Sequence, residues 1–124
     1  MKMMSEGRLE FIEQVKQRTK ALALNVIRFT QQLPKTMEAD VIKRQLLKSA
    51  TSVAANYRAA CRARSGAEFH AKASIVIEEA DETLFWLELL AESDITTEAR
   101  IADLKKEATE ILAIMATARK NSRR

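Results

Sequence analysis

The chain has 124 residues, room for one domain, and holds only two glycines and one proline. Sandwiches and barrels need turn residues every ~8–12 positions, so this composition argues against an all-β fold, while the wealth of Leu, Ala, Glu, Lys and Arg favours helices. A net charge of +4 permits contact with nucleic acid without demanding it, and a single cysteine, Cys61, rules out an intrachain disulfide. No apolar run approaches the ~18–20 residues of a membrane span and the start has no signal-peptide core, so a cytoplasmic protein with no membrane contact is expected.

Residues 1–7 carry no pattern and are expected to be disordered. From Arg8 onward, Ile12, Val15, Thr19, Leu22, Val26, Phe29 and Leu33 recur at steps of three and four, which puts them on one face of a first helix. Pro34 ends it, because proline cannot donate to the helical ladder and pushes Leu33 out of helical geometry. Thr36 is a candidate cap for a second helix, with Glu38 and Asp40 at its positive dipole end. Its apolar face runs Ile42, Leu46, Ser49, Val53, Tyr57 and Ala60. The positions beside that face are small (Ala50, Ala54, Ala55, Ala59, Cys61), which predicts close approach by other helices.

Ser65-Gly66-Ala67-Glu68 reads as a capping box and starts a third helix. Phe69, Ala73, Val76, Ala80, Leu84, Leu87 and Ala91 form its main stripe. Ile75, Ile77, Trp86, Leu89 and Leu90 widen the apolar surface beyond a single seam. The pattern breaks at residues 93–97 and resumes with Ile101, Leu104, Ala108, Ile111, Met115 and Ala118 on a fourth helix, broadened by Leu112 and Ile114. Residues 119–124 form a loose basic tail. Four helices joined by short loops predict an antiparallel up-down-up-down four-helix bundle over residues 8–118. The surplus apolar positions on the last two helices would leave a patch in water, which predicts a homo-oligomer.

Charge is unevenly spread. Residues 38–64 carry six cations against Glu38 and Asp40. Residues 65–92 carry Lys72 alone against Glu68, Glu78, Glu79, Asp81, Glu82, Glu88 and Glu92. The plainest reading is that the second and third helices pack side by side, with Arg44, Lys48 or Arg58 pairing the acidic cluster. The same cluster could hold a divalent metal for nucleotide hydrolysis, but no glycine-rich loop or second acidic motif completes a phosphate site. A di-iron centre needs two Glu-x-x-His pairs, whereas His70 is the only histidine and Ala67 lies three before it. Cys61 sits among alanines, where cysteine behaves as a small hydrophobe rather than a nucleophile. No catalytic residue, metal or cofactor is therefore expected, and the chain reads as a non-enzyme. Arg58, Arg62 and Arg64 near the end of the second helix could bind phosphates together with Arg119, Lys120, Arg123 and Arg124 at the end of the fourth, since both ends fall at one pole. Cations at helix C-termini also complement the dipole, so both readings stand.

The stretch Gln45-Leu46-Leu47-Lys48-Ser49-Ala50-Thr51-Ser52-Val53-Ala54-Ala55-Asn56-Tyr57-Arg58 resembles the signature of bacterial four-helix bundle proteins encoded in 23S ribosomal RNA intervening sequences, the S23 family. Ser65-x-x-Glu68-Phe69-x-x-Lys72 and Glu79-Ala80-x-Glu82-Thr83-x-x-Trp86-Leu87 are similar to its second half, and the likeness spans about residues 8 to 118. The resemblance implies a protomer that assembles into a ring-like pentamer with no enzymatic activity. It extends to the accessory protein of diversity-generating retroelements, a basic pentamer that binds nucleic acid and the reverse transcriptase. Ser49, Ser52, Asn56, Ser65, Lys72, Glu79 and Glu82 match the family's recurrent polar positions and are expected mainly to hold the second and third helices together. Ala59 stands where relatives often carry an acid, so a contact made there does not transfer. The leading partners implied are copies of the chain itself and structured RNA or DNA. A polymerase or reverse transcriptase is the alternative, and a metal-dependent hydrolase ranks last.

Overall fold

The computed structural model describes residues 5–122, and these form four helices and no strand: α1 (Glu6–Thr30), α2 (Met37–Ala60), α3 (Gly66–Glu92) and α4 (Glu98–Lys120). Each helix starts on a side-chain cap. Ser5, Thr36, Ser65 and Thr97 are all extended and accept the backbone N–H three residues on, at 3.1, 3.2, 3.0 and 3.3 Å. Ser5 explains why α1 begins earlier than Arg8. Of the stretch expected to be disordered, Ser5, Glu6 and Gly7 are the cap and the first turn, and residues 1–4 lie outside the described residues. The capping box on α3 forms with a shift: Glu68 Oε1 accepts from the N–H of Arg64, one residue before the cap, at 2.9 Å.

The other helix ends also differ from expectation in small ways. α1 stops at Thr30, ahead of Pro34, where the N–H groups of Gln32 and Leu33 turn back to Phe29 and Thr30. Leu33 is nonetheless buried under the turn. Between α3 and α4, Asp94 takes φ 63°, and the N–H groups of Ile95 and Thr96 both return to the Leu90 carbonyl at 3.0 and 3.1 Å. This left-handed residue closes α3, a position where Asp is tolerated and Gly is preferred. At the far end, Arg119 and Lys120 belong to α4, with Asn121 as its C-cap. The first two residues of the expected loose tail are thus helical, and Arg123 and Arg124 lie outside the described residues.

The core sits where the spacing placed it. Ile42, Leu46, Ser49, Val53, Tyr57 and Ala60 of α2 are all buried, as are Ile101, Leu104, Ala108, Ile111 and Met115 of α4. On α3 the buried stripe gains Thr83 and Leu90, while Phe69 and Leu84 are only half-buried. The surplus apolar side chains are largely absorbed within the chain: Leu90 is fully buried, and Ile77, Trp86, Leu89, Leu112 and Ile114 pack against the core from its edge. The broad apolar surface that suggested an oligomer is thus mostly internal. Among the described residues, the large apolar groups left in solvent are Leu9, Phe11, Leu24, Ile27, Met37, Val41 and Phe85.

α2 meets α3 and α3 meets α4 over the broadest surfaces; α1 meets α2 less broadly and α4 least. Among the described residues, α1 and α3 are not neighbours, nor are α2 and α4, so the four helices occupy the corners of a square. The expected ion pairs between α2 and the acidic cluster of α3 do not form. The seam between these helices is built from small side chains, and the buried Thr83 hydroxyl reaches Ser49 Oγ across it at 3.0 Å. Arg44, Lys48 and Arg58 are exposed, and Lys48 acts on Glu79 through space without bridging to it. The one ion-paired crossing among the described residues is instead between α1 and α4, where Arg18 reaches Glu107 and Glu110.

Candidate nucleic-acid interface at one pole

One end of the bundle gathers the start of α1, the end of α2, the start of α3 and the end of α4. All four line a groove of about 580 Å³, with Phe11, Ile12, Phe69, Ile114 and Met115 as its apolar floor. Arg8, Ser65, Asn121 and Ser122 supply polar groups to its walls. Tyr57 and Cys61 face it from α2, and burial pushes the Tyr57 phenol up, with Cys61 beside it adding to the effect. The phenol is therefore uncharged at neutral pH.

The sequence-predicted cations surround this pole without forming one cluster. Arg62 and Arg64 are exposed in the turn after α2, with the Arg64 backbone pinned by Glu68. Arg119 is half-buried, and its Nη1 donates to Ser74 Oγ on α3 at 3.1 Å, which ties its guanidinium to the side of the bundle about two turns in from the start of α3. Lys120 is exposed on the last turn of α4. Arg123 and Arg124 lie outside the described residues. Arg58 points away from the end groove into a second one, of about 480 Å³, between α1 and α2, where Lys16 and Lys20 join it. Glu13 is the carboxylate in that groove. The sequence reading missed Arg8, Lys16 and Lys20, because each lies on a different helix from the arginines it approaches. Only their place on the solvent side of α1 marked them.

The family-motif residues do local work more than interhelical work. Ser49 bonds Thr83 across the seam and its own helix at Leu46 O. Asn56 Nδ2 donates to both the Oγ (2.8 Å) and the carbonyl (3.0 Å) of Ser52 within α2, and Ser65 caps α3. Lys72 is half-buried with no ion-pair partner among the described residues. Glu79 is held above the usual carboxylate range by burial first, then by Glu82 and Glu78, with Lys48 pulling it down. Glu82 is exposed. Of the seven, Ser49 alone makes a direct bond from α2 to α3. Among the described residues no three His, Cys, Asp or Glu side chains converge on a point where a metal ion could sit. No helix among them is long and apolar enough to cross a membrane.

The four capped helices packed around one core define a four-helix bundle protein. The chain belongs to the family of 23S rRNA-intervening sequence proteins, whose model matches residues 13–117. Among solved structures it is similar to a protein of unknown function from the S23 ribosomal protein family of Bacteroides thetaiotaomicron, at 32% identity and a TM-score of 0.80, covering 86% of this chain and 98% of that one. No curated protein matches the chain. The family likeness thus carries a fold and an unassigned function, with no catalytic role attached.

Proposed function

We propose that the chain is a non-enzymatic, cytoplasmic binding module: an antiparallel up-down-up-down protomer that assembles with copies of itself, as a pentamer, and contacts structured RNA through its basic pole. The observation that carries this reading is Arg8 in the wall of the end groove, Arg62, Arg64, Arg119 and Lys120 on the helix ends that meet at the same pole, and Arg58, Lys16 and Lys20 in the groove between α1 and α2. Phosphates are recognised by cations on a rigid frame, and few exposed aromatics flank these, so binding is sequence-tolerant and salt-sensitive. The antiparallel sense is supported by the starts of α1 and α3 meeting the ends of α2 and α4 at one groove.

Titrating a fluorescent structured RNA at two salt concentrations tests the reading. Replacing Arg58, Arg62 and Arg64 with Ala is expected to weaken binding by at least about tenfold at low salt and to flatten the salt slope by about one for each phosphate left unneutralised. Unchanged affinity and slope would remove the pole as the site. The apolar floor of the end groove (Phe11, Ile12, Phe69, Ile114) supports a second reading, a scaffold for a protein partner such as a polymerase or reverse transcriptase. Under that reading, Phe11→Asp abolishes partner capture and leaves RNA affinity at its wild-type value.

A further inference from the structure

Two outward stripes on neighbouring helices carry unlike charge and stand without partners. On α2, Met37, Val41, Arg44 and Lys48 follow one another at steps of four, three and four, so they line up along one edge. All four are exposed, Met37 at 79% and Val41 at 50%. On α3, Asp81, Phe85, Glu88 and Glu92 follow at steps of four, three and four, with Glu82 on the flank of that edge and Phe85 52% exposed at the centre. The Phe85 ring packs edge-on to Trp86, centroids 4.8 Å apart and planes at 72°, which props it outward. Among the described residues, no ion pair reaches Arg44, Lys48 or any carboxylate of the α3 stripe.

These stripes fit each other: aliphatic groups and two cations on one, an aromatic ring among carboxylates on the other. They cannot meet within one chain. The Ser49–Thr83 contact turns the inner faces of α2 and α3 together, so each stripe looks out from its own corner of the square. We propose that the outer edge of residues 37–48 seats on the outer edge of residues 81–92 of a second copy of this chain. The inference rests on the homo-oligomer reading and gives it a contact. Each copy offers one stripe of each kind, so the contact is head-to-tail and can repeat around a ring. In a ring whose axis runs along the helices all copies stand at one height, and the Ser49–Thr83 bond then sets the level: Lys48 stands beside Phe85, Arg44 beside Glu88 and Val41 beside Glu92, to within about one turn. Phe85 then packs on aliphatic stems while its neighbours take the cations, a desolvated centre with a charged rim. Arg58 and Arg62 lie below the carboxylates, level with the start of α3, and remain open to a polyanion.

Light scattering on four chains tests the pairing: the wild type, Arg44→Glu/Lys48→Glu, Asp81→Lys/Glu82→Lys/Glu88→Lys, and the chain with all five changes. The wild type is expected at a multiple of 14.0 kDa, each partial swap at the single-chain mass, and the five-fold swap back at the wild-type mass. Circular dichroism checks that helix content is unchanged. Partial swaps that keep the wild-type mass overturn this contact and leave the oligomer reading standing, as does a five-fold swap that fails to recover. A wild type found as a single chain overturns the oligomer reading itself. If a swapped chain loses helix, Phe85→Ser, which alters no charge, reads the same seat: a fall to the single-chain mass supports the contact, and wild-type mass overturns it.

Discussion

The α2–α3 pair and the α1–α4 pair join helices by opposite means. α2 and α3 approach through small residues, with Ala50, Ala73, Ala80, Ser49 and Thr83 all buried and Leu46 and Leu87 fully enclosed. α1 and α4 touch over the least surface, and the feature that spans them is ionic: Arg18 Nε to Glu107 at 2.7 Å, Nη2 to Glu107 at 2.8 Å, and Nη2 to Glu110 at 2.6 Å. Those three hydrogen bonds push the Arg18 guanidinium further above its already high value, so it is charged at every working pH. The contrast teaches that a seam of small side chains gains from dispersion and dry burial, whereas a thin seam depends on charges that water and salt can screen.

The largest expected effect breaks the tight side. Leu46→Ala removes a side chain with no exposure and no room for collapse, and costs about 3 kcal/mol in urea unfolding. A loss below about 1 kcal/mol would mean the α2–α3 core is looser than its burial implies. On the thin side, Arg18→Ala is expected to cost about 1 kcal/mol, discounted because the side chains are about one-third to one-half exposed. The difference between variant and wild type should shrink as salt rises, and amide exchange in α1 should quicken while exchange in α3 does not. Equal quickening in both helices would show the bundle opening as one unit.

The smallest effect sharpens the electrostatics of the tight side. Glu79 holds its proton more firmly in the folded chain than in the unfolded one, so its favourable contribution is present below the usual carboxylate range and is lost as pH rises through its raised value. Glu79→Gln removes that loss. Its Tm is expected above wild type at neutral pH, with the gap closing by about pH 4. A gap of the opposite sign would show that attraction to Lys48 outweighs burial and the repulsion from Glu82 and Glu78.

Periodicity made the bundle legible because helical burial repeats in the chain itself. Every α2 residue assigned inward by its spacing is inward, and the caps at Thr36 and Ser65 were readable because their chemistry is local. The site was less legible. The Arg18 bridge joins residues 89 and 92 positions apart, and nothing in either local pattern links them. The charge balance of each segment suggested that α2 and α3 neutralise each other. Such a balance does not record which side of a helix a residue takes: Glu79 is half-buried and feels Lys48 without bridging to it, while Arg44, Arg58, Glu78, Asp81 and Glu82 are exposed. Phe85 was hidden for the same reason: it lies one residue before Trp86 in an apolar run, yet it points to solvent while Trp86 leans inward.

The turn between α3 and α4 carries Asp94 beside Glu92 and Glu98, at the end of the bundle away from Arg8, Arg62, Arg64, Arg119 and Lys120. Lys35, Lys43 and Arg100 stand at that same end and offset those carboxylates, so the net charge of the rod is weighted toward its other tip. A polyanion of the kind proposed as its partner would exert a torque on such a rod before contact and draw the basic tip forward. On that reading the charge pattern would set the rate and orientation of encounter as well as the strength of the complex, and salt would slow the approach by shortening the distance over which the torque acts.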